Sequence, residues 1–324
     1  MTRHDDSLLS VVVPCYNEQD VLCETHRRLT AALTGLPIDY EIVYVDDGSQ
    51  DRTARLLREI QAADRHVRVL RFSRNFGHQI AATAGMERAA GDAIVLIDAD
   101  LQDPPELIAD LVDRWREGYE VAYAQRTERE GETAFKRASA SLFYRLLRSL
   151  TPVDIPPDTG DFRLMDRRVV EALRQMPEQD RFLRGMVSWV GFRQIAVPYR
   201  RDARFAGVSK YPLRRMLRLA ADAIVSFSLM PLRFASCAGL ATLAVGLLTA
   251  LAVIGLAVFG RASLSTGSLA LIAVLVLSGV QLLSVGLLGE YVSRIYRQVQ
   301  GRPLYIVREA LGFEEEAAPL RRVA

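Results

Sequence analysis

The run Asp98-Ala99-Asp100-Leu101-Gln102-Asp103 holds the most chemically pointed residues of this chain. Two carboxylates, Asp98 and Asp100, leave an apolar stretch with one residue between them. So placed, they can converge on a hard cation. Mg²⁺ or Mn²⁺ takes oxygen ligands and is commonly shared with substrate phosphates. Gln102 has an amide oxygen to add. The plainer alternative is a solvated acidic turn whose aspartates cap a helix. Three other polar clusters weigh against it: Pro14-Cys15-Tyr16-Asn17-Glu18, Asp46-Asp47-Gly48-Ser49 and Ser73-Arg74-Asn75. Each closes an apolar run, and four such clusters point to one cleft.

The elements that must position them alternate. Leu8 to Pro14 is a continuous apolar run and reads as a buried strand. Glu18 to Leu33 reads as a helix, and Glu41 to Val45 as a second strand. Ser49 is expected to cap a helix from Asp51 to Ala62. Val67 to Phe72, Ile94 to Ile97 and Val121 to Ala124 continue the strands, with a helix over Gln79 to Ala89. Pro104 and Pro105 suit the first turn of the next helix. Such alternation predicts an α/β domain, a mostly parallel sheet with helices on both faces. Open sheets of this kind bind ligands at the carboxyl ends of their strands, where the clusters fall. Neither G-x-G-x-x-G nor G-x-x-x-x-G-K-[ST] is present, which argues against a dinucleotide dehydrogenase and a P-loop NTPase. Further on, Glu132 to Leu150 reads as a long helix, Phe162 to Met165 as extended, Arg181 to Val190 as helical and Ile195 to Pro198 as a short strand.

The end of the chain is different. Phe234 to Gly260 is 27 residues without a charge, and Ala262 to Gly289 is 28. About 20 apolar residues span a bilayer as a helix. Pro212 to Met230 mixes arginines with Leu, Ile, Met and Phe and reads as an amphipathic helix at the membrane surface. Basic residues crowd the approach to the first stretch and follow the second as Arg294, Arg297 and Arg302, while Arg261 alone lies between. That asymmetry places both termini in the cytoplasm. Met1 to Leu9 holds no apolar run of signal-peptide length, so targeting is expected to rest on the late hairpin. The tail after Arg302 reads as charged and loose. Net charge is only +2, which gives no support to nucleic-acid binding. Cys15, Cys23 and Cys237 show no paired spacing, as in a reducing compartment. His26, His66 and His78 show no ligand spacing, and no zinc site is expected.

The order V-P-C-Y-N-E, V-D-D-G-S-x-D-x-T, S-R-N-F-G-H and D-A-D-L-Q-D-P-P-E resembles family 2 glycosyltransferases with the GT-A fold. Asp161-Phe162-Arg163-Leu164, the segment Arg204 to Lys210 and the two apolar stretches narrow it. Over residues 8 to 300 the chain is similar to the polyprenyl-phosphate glycosyltransferases, both dolichol-phosphate mannose synthase and, more closely, the bacterial undecaprenyl-phosphate glucosyltransferases. The boundaries then read as 1–210 for a cytosolic GT-A domain, 211–232 for the interface helix, 233–292 for two transmembrane helices and 293–324 for a cytosolic tail.

The resemblance implies that Pro14, Tyr16, Glu18 and Asp46 line a nucleoside pocket. Asp47 is either part of it or stabilises the following turn. Asp98, Asp100 and Gln102 would hold Mg²⁺ or Mn²⁺ against the diphosphate, and Arg126 fits a phosphate contact. Asp161 would face sugar and acceptor as the family's base. The acceptor is a phosphate monoester whose second pKa is near 6, so Asp161 has an alternative role in orienting the sugar. Arg163, Arg204 and Lys210 are candidates to meet the lipid phosphate, with attraction to anionic lipid headgroups as their alternative role. Arg181, Arg184 and Trp189 do not match the Q-x-x-R-W spacing of processive synthases, and their segment reads either as a helix near the acceptor site or as structure alone. The expectation is an inverting hexosyltransferase of the cytoplasmic membrane, multi-pass, moving glucose from UDP-glucose to undecaprenyl phosphate. A mannosyltransferase using GDP-mannose, a processive synthase and a non-catalytic sugar-nucleotide sensor are the other readings. The resemblance suggests a homotetramer.

Overall fold

The computed structural model describes residues 7–127, 156, 159–199, a discontinuous set between 235 and 255, and 266–313. Among these, residues 7–199 and 302–313 belong to one compact unit, and the described residues between 235 and 301 to another.

The first unit is an α/β domain. Its elements are β1 (Leu8–Cys15), α1 (Leu22–Thr34), β2 (Asp39–Asp46), α2 (Thr53–Ala63), β3 (Val67–Phe72), α3 (His78–Arg88), β4 (Ala93–Leu96), α4 (Ile108–Arg116), β5 (Val121–Arg126), β6 (Thr159–Asp166), α5 (Arg167–Arg174), α6 (Leu183–Trp189), β7 (Gln194–Tyr199) and β8 (Val307–Leu311). Among the described residues eight strands form one sheet, ordered β7-β5-β6-β4-β1-β2-β3-β8. β1 lies between β2 and β4, and from Leu9 to Cys15 it is buried throughout. A strand covered on both faces has no need of polar alternation, which is why the run is continuous.

The sheet is mixed rather than mostly parallel. β1 to β4 run parallel, as do β5 and β7. β6 runs antiparallel between β4 and β5. The apolar run Phe162 to Met165 shows that a strand exists but not its direction. The direction matters, because it brings the start of β6 to the carboxyl ends of β4 and β5.

The second departure is β8. Instead of a loose tail, Val307–Leu311 pairs antiparallel with the outer edge of β3. Arg58 grips Glu309 in a forked ion pair, with Nη2 2.6 Å from Oε2 and Nε 3.0 Å from Oε1. Arg68 Nη1 donates to the Gly312 carbonyl at 2.7 Å. An open sheet edge is a row of unpaired amides and carbonyls, and β8 satisfies those of β3.

Helix starts also move. α1 begins four residues after Glu18, whose carbonyl accepts the Val21 and Leu22 N–H groups in a turn that precedes the helix. Ser49 does not cap α2. Its hydroxyl accepts the Asn17 N–H at 3.0 Å, and Asp51 accepts Thr53 N–H instead. Pro105 opens a 3-10 turn, Pro105–Leu107, which leads into α4. α3 packs on the sheet through small residues. A Cβ on Gly85 would lie 2.3 Å from Val12 Cγ1 and 2.9 Å from Val45 Cγ2.

In the second unit the chain forms α7 (Thr266–Val299), 34 residues long. No described helix is long and apolar enough to cross a membrane. The first apolar stretch is described only in part, as helical residues. The expected helix over Glu132 to Leu150, the amphipathic segment 211–232, Arg204 and Lys210 lie outside the described residues.

Candidate active site

β4 delivers the chain to Asp98 at the sheet's carboxyl edge. The turn beyond is tight. Leu101, buried, holds a left-handed φ of 57°, a conformation that costs an ordinary residue roughly 1–2 kcal/mol. Asp100 Oδ1 accepts the Gln102 N–H at 3.1 Å within the same turn. Asp103 is buried, and Tyr199 donates its hydroxyl proton to it. Arg126, from the end of β5, donates to that hydroxyl oxygen at 3.2 Å and stands 3.9 Å from Asp103.

Antiparallel β6 begins beside this turn and places Asp161 there. His78 Nε2 stands between the two acids, 3.4 Å from Asp98 Oδ1 and 3.2 Å from Asp161 Oδ2. Gln79 Nε2 donates to Asp161 Oδ2 at 3.1 Å, and Arg184 Nε to Oδ1 at 2.8 Å. Gln79 is itself fixed, since its Oε1 accepts the Leu183 N–H at 3.0 Å. Thus α3 and α6 both reach the start of β6.

The charges sort the acids. Burial pushes Asp161 up, but Arg184 and His78 outweigh it and hold its carboxyl well below the usual range. Asp98 is pushed up to about 6 by burial, aided by the Asp161, Asp103 and Asp100 charges against the pull of His78. Burial lowers His78, yet Asp98 and Asp161 raise it to about 9. Asp161 is therefore an ionised acceptor, and His78 a cation between acids.

The other cluster residues sit nearby with different duties. Pro14 is buried and Tyr16 is exposed at the end of β1. The Glu18 backbone N–H donates to Thr53 Oγ1 at 2.8 Å. Asp46 is fully buried. Its Oδ1 accepts the Ser49 N–H at 2.9 Å, and its Oδ2 lies 3.1 Å from Arg71 Nε. Asp46, not Asp47, therefore braces the following turn. Asp47 reaches to the next loop and accepts the Phe76 and Gly77 N–H groups at 2.7 and 2.9 Å. Burial raises its pKa.

Arg163 is placed differently from the expectation. It is buried, and its guanidinium donates to the carbonyls of Gly160, at 2.9 Å, and Asp161, at 3.3 Å. Burial lowers its pKa to about 10. It braces the start of β6. A strand arginine two positions from an acid has no signature that separates that role from a phosphate contact.

The structure thus brings Asp98, Asp100, Gln102 and Asp161 to one edge and adds His78 and Gln79, which motif reasoning did not place there; Arg184 joins them from the helix that the sequence read either as near the acceptor site or as structure alone. Their only signals were the S-R-N-F-G-H run and an arginine in an ill-fitting motif. Among the described residues no group of three or more His, Cys, Asp and Glu side chains is poised to hold a metal ion. Asp98, Asp100 and Gln102 still fit a divalent cation in kind. Their donors are oxygens, and the buried Asp98 Oδ1 has no hydrogen bond, only the 3.4 Å approach of His78 Nε2, which leaves it capacity for a ligand.

Residues 10–174 match the family described as Glycosyl transferase family 2. The chain is 50% identical over 316 residues to "Uncharacterized glycosyltransferase YkcC" of Bacillus subtilis (strain 168), covering 98% of this chain and 97% of that protein. It is 39% identical over 303 residues to the SfII prophage-derived bactoprenol glucosyl transferase of Shigella flexneri, covering 93% and 98%. Among solved structures, the Mycobacterium tuberculosis glucosyl-3-phosphoglycerate synthase in complex with Mn²⁺, UDP-glucose and phosphoglyceric acid is 20% identical. Its TM-score is 0.46, over 67% of this chain and 77% of that one.

Proposed function

Since the chain belongs to glycosyltransferase family 2 and is a glycosyltransferase, we propose that it moves a hexose from a sugar nucleotide to a polyprenyl phosphate with inversion. Glucose from UDP-glucose and undecaprenyl phosphate are the substrates in this reading. The observation that carries it is the convergence of Asp98 and Asp161 on His78 at the sheet's carboxyl edge. The lipid acceptor is supported by the bactoprenol relative, which aligns over 93% of the chain. The two uncharged stretches support a seat in the cytoplasmic membrane, with the catalytic unit on the cytoplasmic side.

A lipid phosphate oxygen forms the new bond to the anomeric carbon. The bond to the nucleoside diphosphate breaks on the opposite face, and the electron pair leaves with it. A divalent ion, Mg²⁺ or Mn²⁺, held by Asp98, Asp100 and Gln102 would neutralise charge on the departing diphosphate. Tyr16 and Glu18 border the donor's nucleoside end. Arg126 lies at the diphosphate side, and Arg204 and Lys210 meet the lipid phosphate. Asp161 orients sugar and acceptor rather than taking a proton. A carboxylate with a depressed pKa is a weak base, and an acceptor with a second pKa near 6 is largely dianionic at neutral pH.

The test mixes purified full chain, undecaprenyl phosphate and Mg²⁺ with labelled UDP-glucose or GDP-mannose in parallel. Label should enter the organic phase from UDP-glucose and be reduced about 100-fold or more in Asp100→Asn, as for loss of a group that stabilises transition-state charge. Label from GDP-mannose alone would change the sugar. No lipid-soluble label from either, with donor binding intact, would sink the reaction class.

A further inference from the structure

The loop Ser73–Gly77 leads directly into His78, and it is braced from two sides. On one side Asp47 accepts its Phe76 and Gly77 amides. Gly48 is packed so closely there that a Cβ would lie 2.4 Å from the Arg74 carbonyl carbon, and its φ is +69°. On the other side stands the segment after Arg302. The Ile306 carbonyl accepts the Ser73 N–H at 3.0 Å. Tyr305 stacks on Phe72 with ring centroids 5.0 Å apart, and Phe72 meets Phe76 edge-on at 5.6 Å. The Tyr305 hydroxyl donates to Glu87, in the last turn of α3, at 3.0 Å. Gln179 holds the Arg302 carbonyl at 2.8 Å.

We infer that Tyr305 is a positioning residue of the active site, and that the segment from Tyr305 into β8 fixes the Ser73–Gly77 loop and through it sets His78 against Asp98 and Asp161. Two contacts from that segment land on the strand and loop that lead into His78, and a third reaches Glu87 near the far end of α3, while Tyr305 touches neither acid. Sheet closure alone would need only the β8 ladder. Tyr305, which stacks on Phe72, lies beyond the ladder's last pair, Phe72 with Val307, and next to the bond from Ser73 N–H to the Ile306 carbonyl. The kinetic part of the inference rests on the transfer reaction proposed above. The structural part does not.

The experiment compares full-length wild type, Tyr305→Leu and Tyr305→Phe by amide hydrogen exchange and by transfer kinetics. Tyr305→Leu should speed exchange at Phe76 and Gly77 while amides of β1 and β4 stay protected. It should lower kcat about tenfold to a hundredfold, the scale of a sub-ångström to 1 Å misplacement of reacting groups, with KM for lipid phosphate unchanged. Tyr305→Phe keeps the ring and should stay within about twofold of wild type in kcat, since only a partly exposed hydroxyl contact is lost. Unchanged exchange at Phe76 and Gly77 in Tyr305→Leu would overturn the inference, as would exchange rising equally across the sheet. So would Tyr305→Phe falling as far as Tyr305→Leu. A wild type that transfers nothing would sink the proposed reaction and leave the exchange result to decide this point.

Discussion

At the scale of single residues, Asp161 is defined by what surrounds it. Three donors, from His78, Gln79 and Arg184, fill its two oxygens. Its folded pKa lies below the ordinary carboxylate value, so its charge is lost only as pH falls through that lower value. The acceptor phosphate titrates near pH 6. If Asp161 orients rather than accepts a proton, Asp161→Asn should slow transfer by about 100-fold and keep an acid limb near pH 6. A rate profile measured from pH 5 to 8 checks this, and loss of that limb in the variant would make Asp161 the base. The acids themselves were legible, because carboxylates at strand ends carry a recognisable spacing. The partners were not, since His78 and Arg184 meet Asp161 across 83 and 23 positions, and nothing local marks such a contact. Arg163 shows the converse: its type suggested a phosphate, and its burial gave it backbone carbonyls instead.

At the scale of elements, apolar runs predicted the central strands well because burial on both faces leaves no other pattern. β8 was invisible for the opposite reason. Val307-Arg308-Glu309-Ala310-Leu311 is short and carries two adjacent charges, as suits an edge strand, and its partner β3 lies far back in the chain. β6 was visible as a strand, but its direction depends on the return path. α3 is the element on which most depends, since it carries His78 and Gln79 at its first turn. Its approach to β1 and β2 requires glycine at 85. Gly85→Ala would gain helix propensity of about 1 kcal/mol and lose about 1–3 kcal/mol to overpacking. With Cβ contacts of 2.3 and 2.9 Å against two valines, overpacking should win. The expected result is a melting temperature lower by a few degrees, measured by thermal unfolding of the purified chain. A rise would mean that the valines repack freely.

At the scale of the whole molecule, the proposed membrane seat, read from the uncharged stretches and their flanking arginines, puts the catalytic unit on the cytoplasmic side. Cys23 is exposed on that unit, whereas Cys15 is buried. In a Cys237→Ser variant, a membrane-impermeant maleimide should leave intact spheroplasts of a bacterial host unlabelled and should label Cys23 after permeabilisation. Labelling of intact cells would reverse the orientation. The last strand adds a matter of timing. β3 ends at Phe72, and its outer neighbour β8 begins at Val307. At roughly 5–20 residues per second of synthesis, tens of seconds separate the two. Until then the nascent sheet has a bare edge, and the loop leading to His78 lacks one of its two supports. Both apolar stretches are made within that interval. A ribosome that stalls or terminates before Val307 releases a chain with every acidic motif intact, an unpaired edge open to aggregation and an unfinished active site. In the proposed reading, the order of elements along the chain places completion of the active site after synthesis of both apolar stretches.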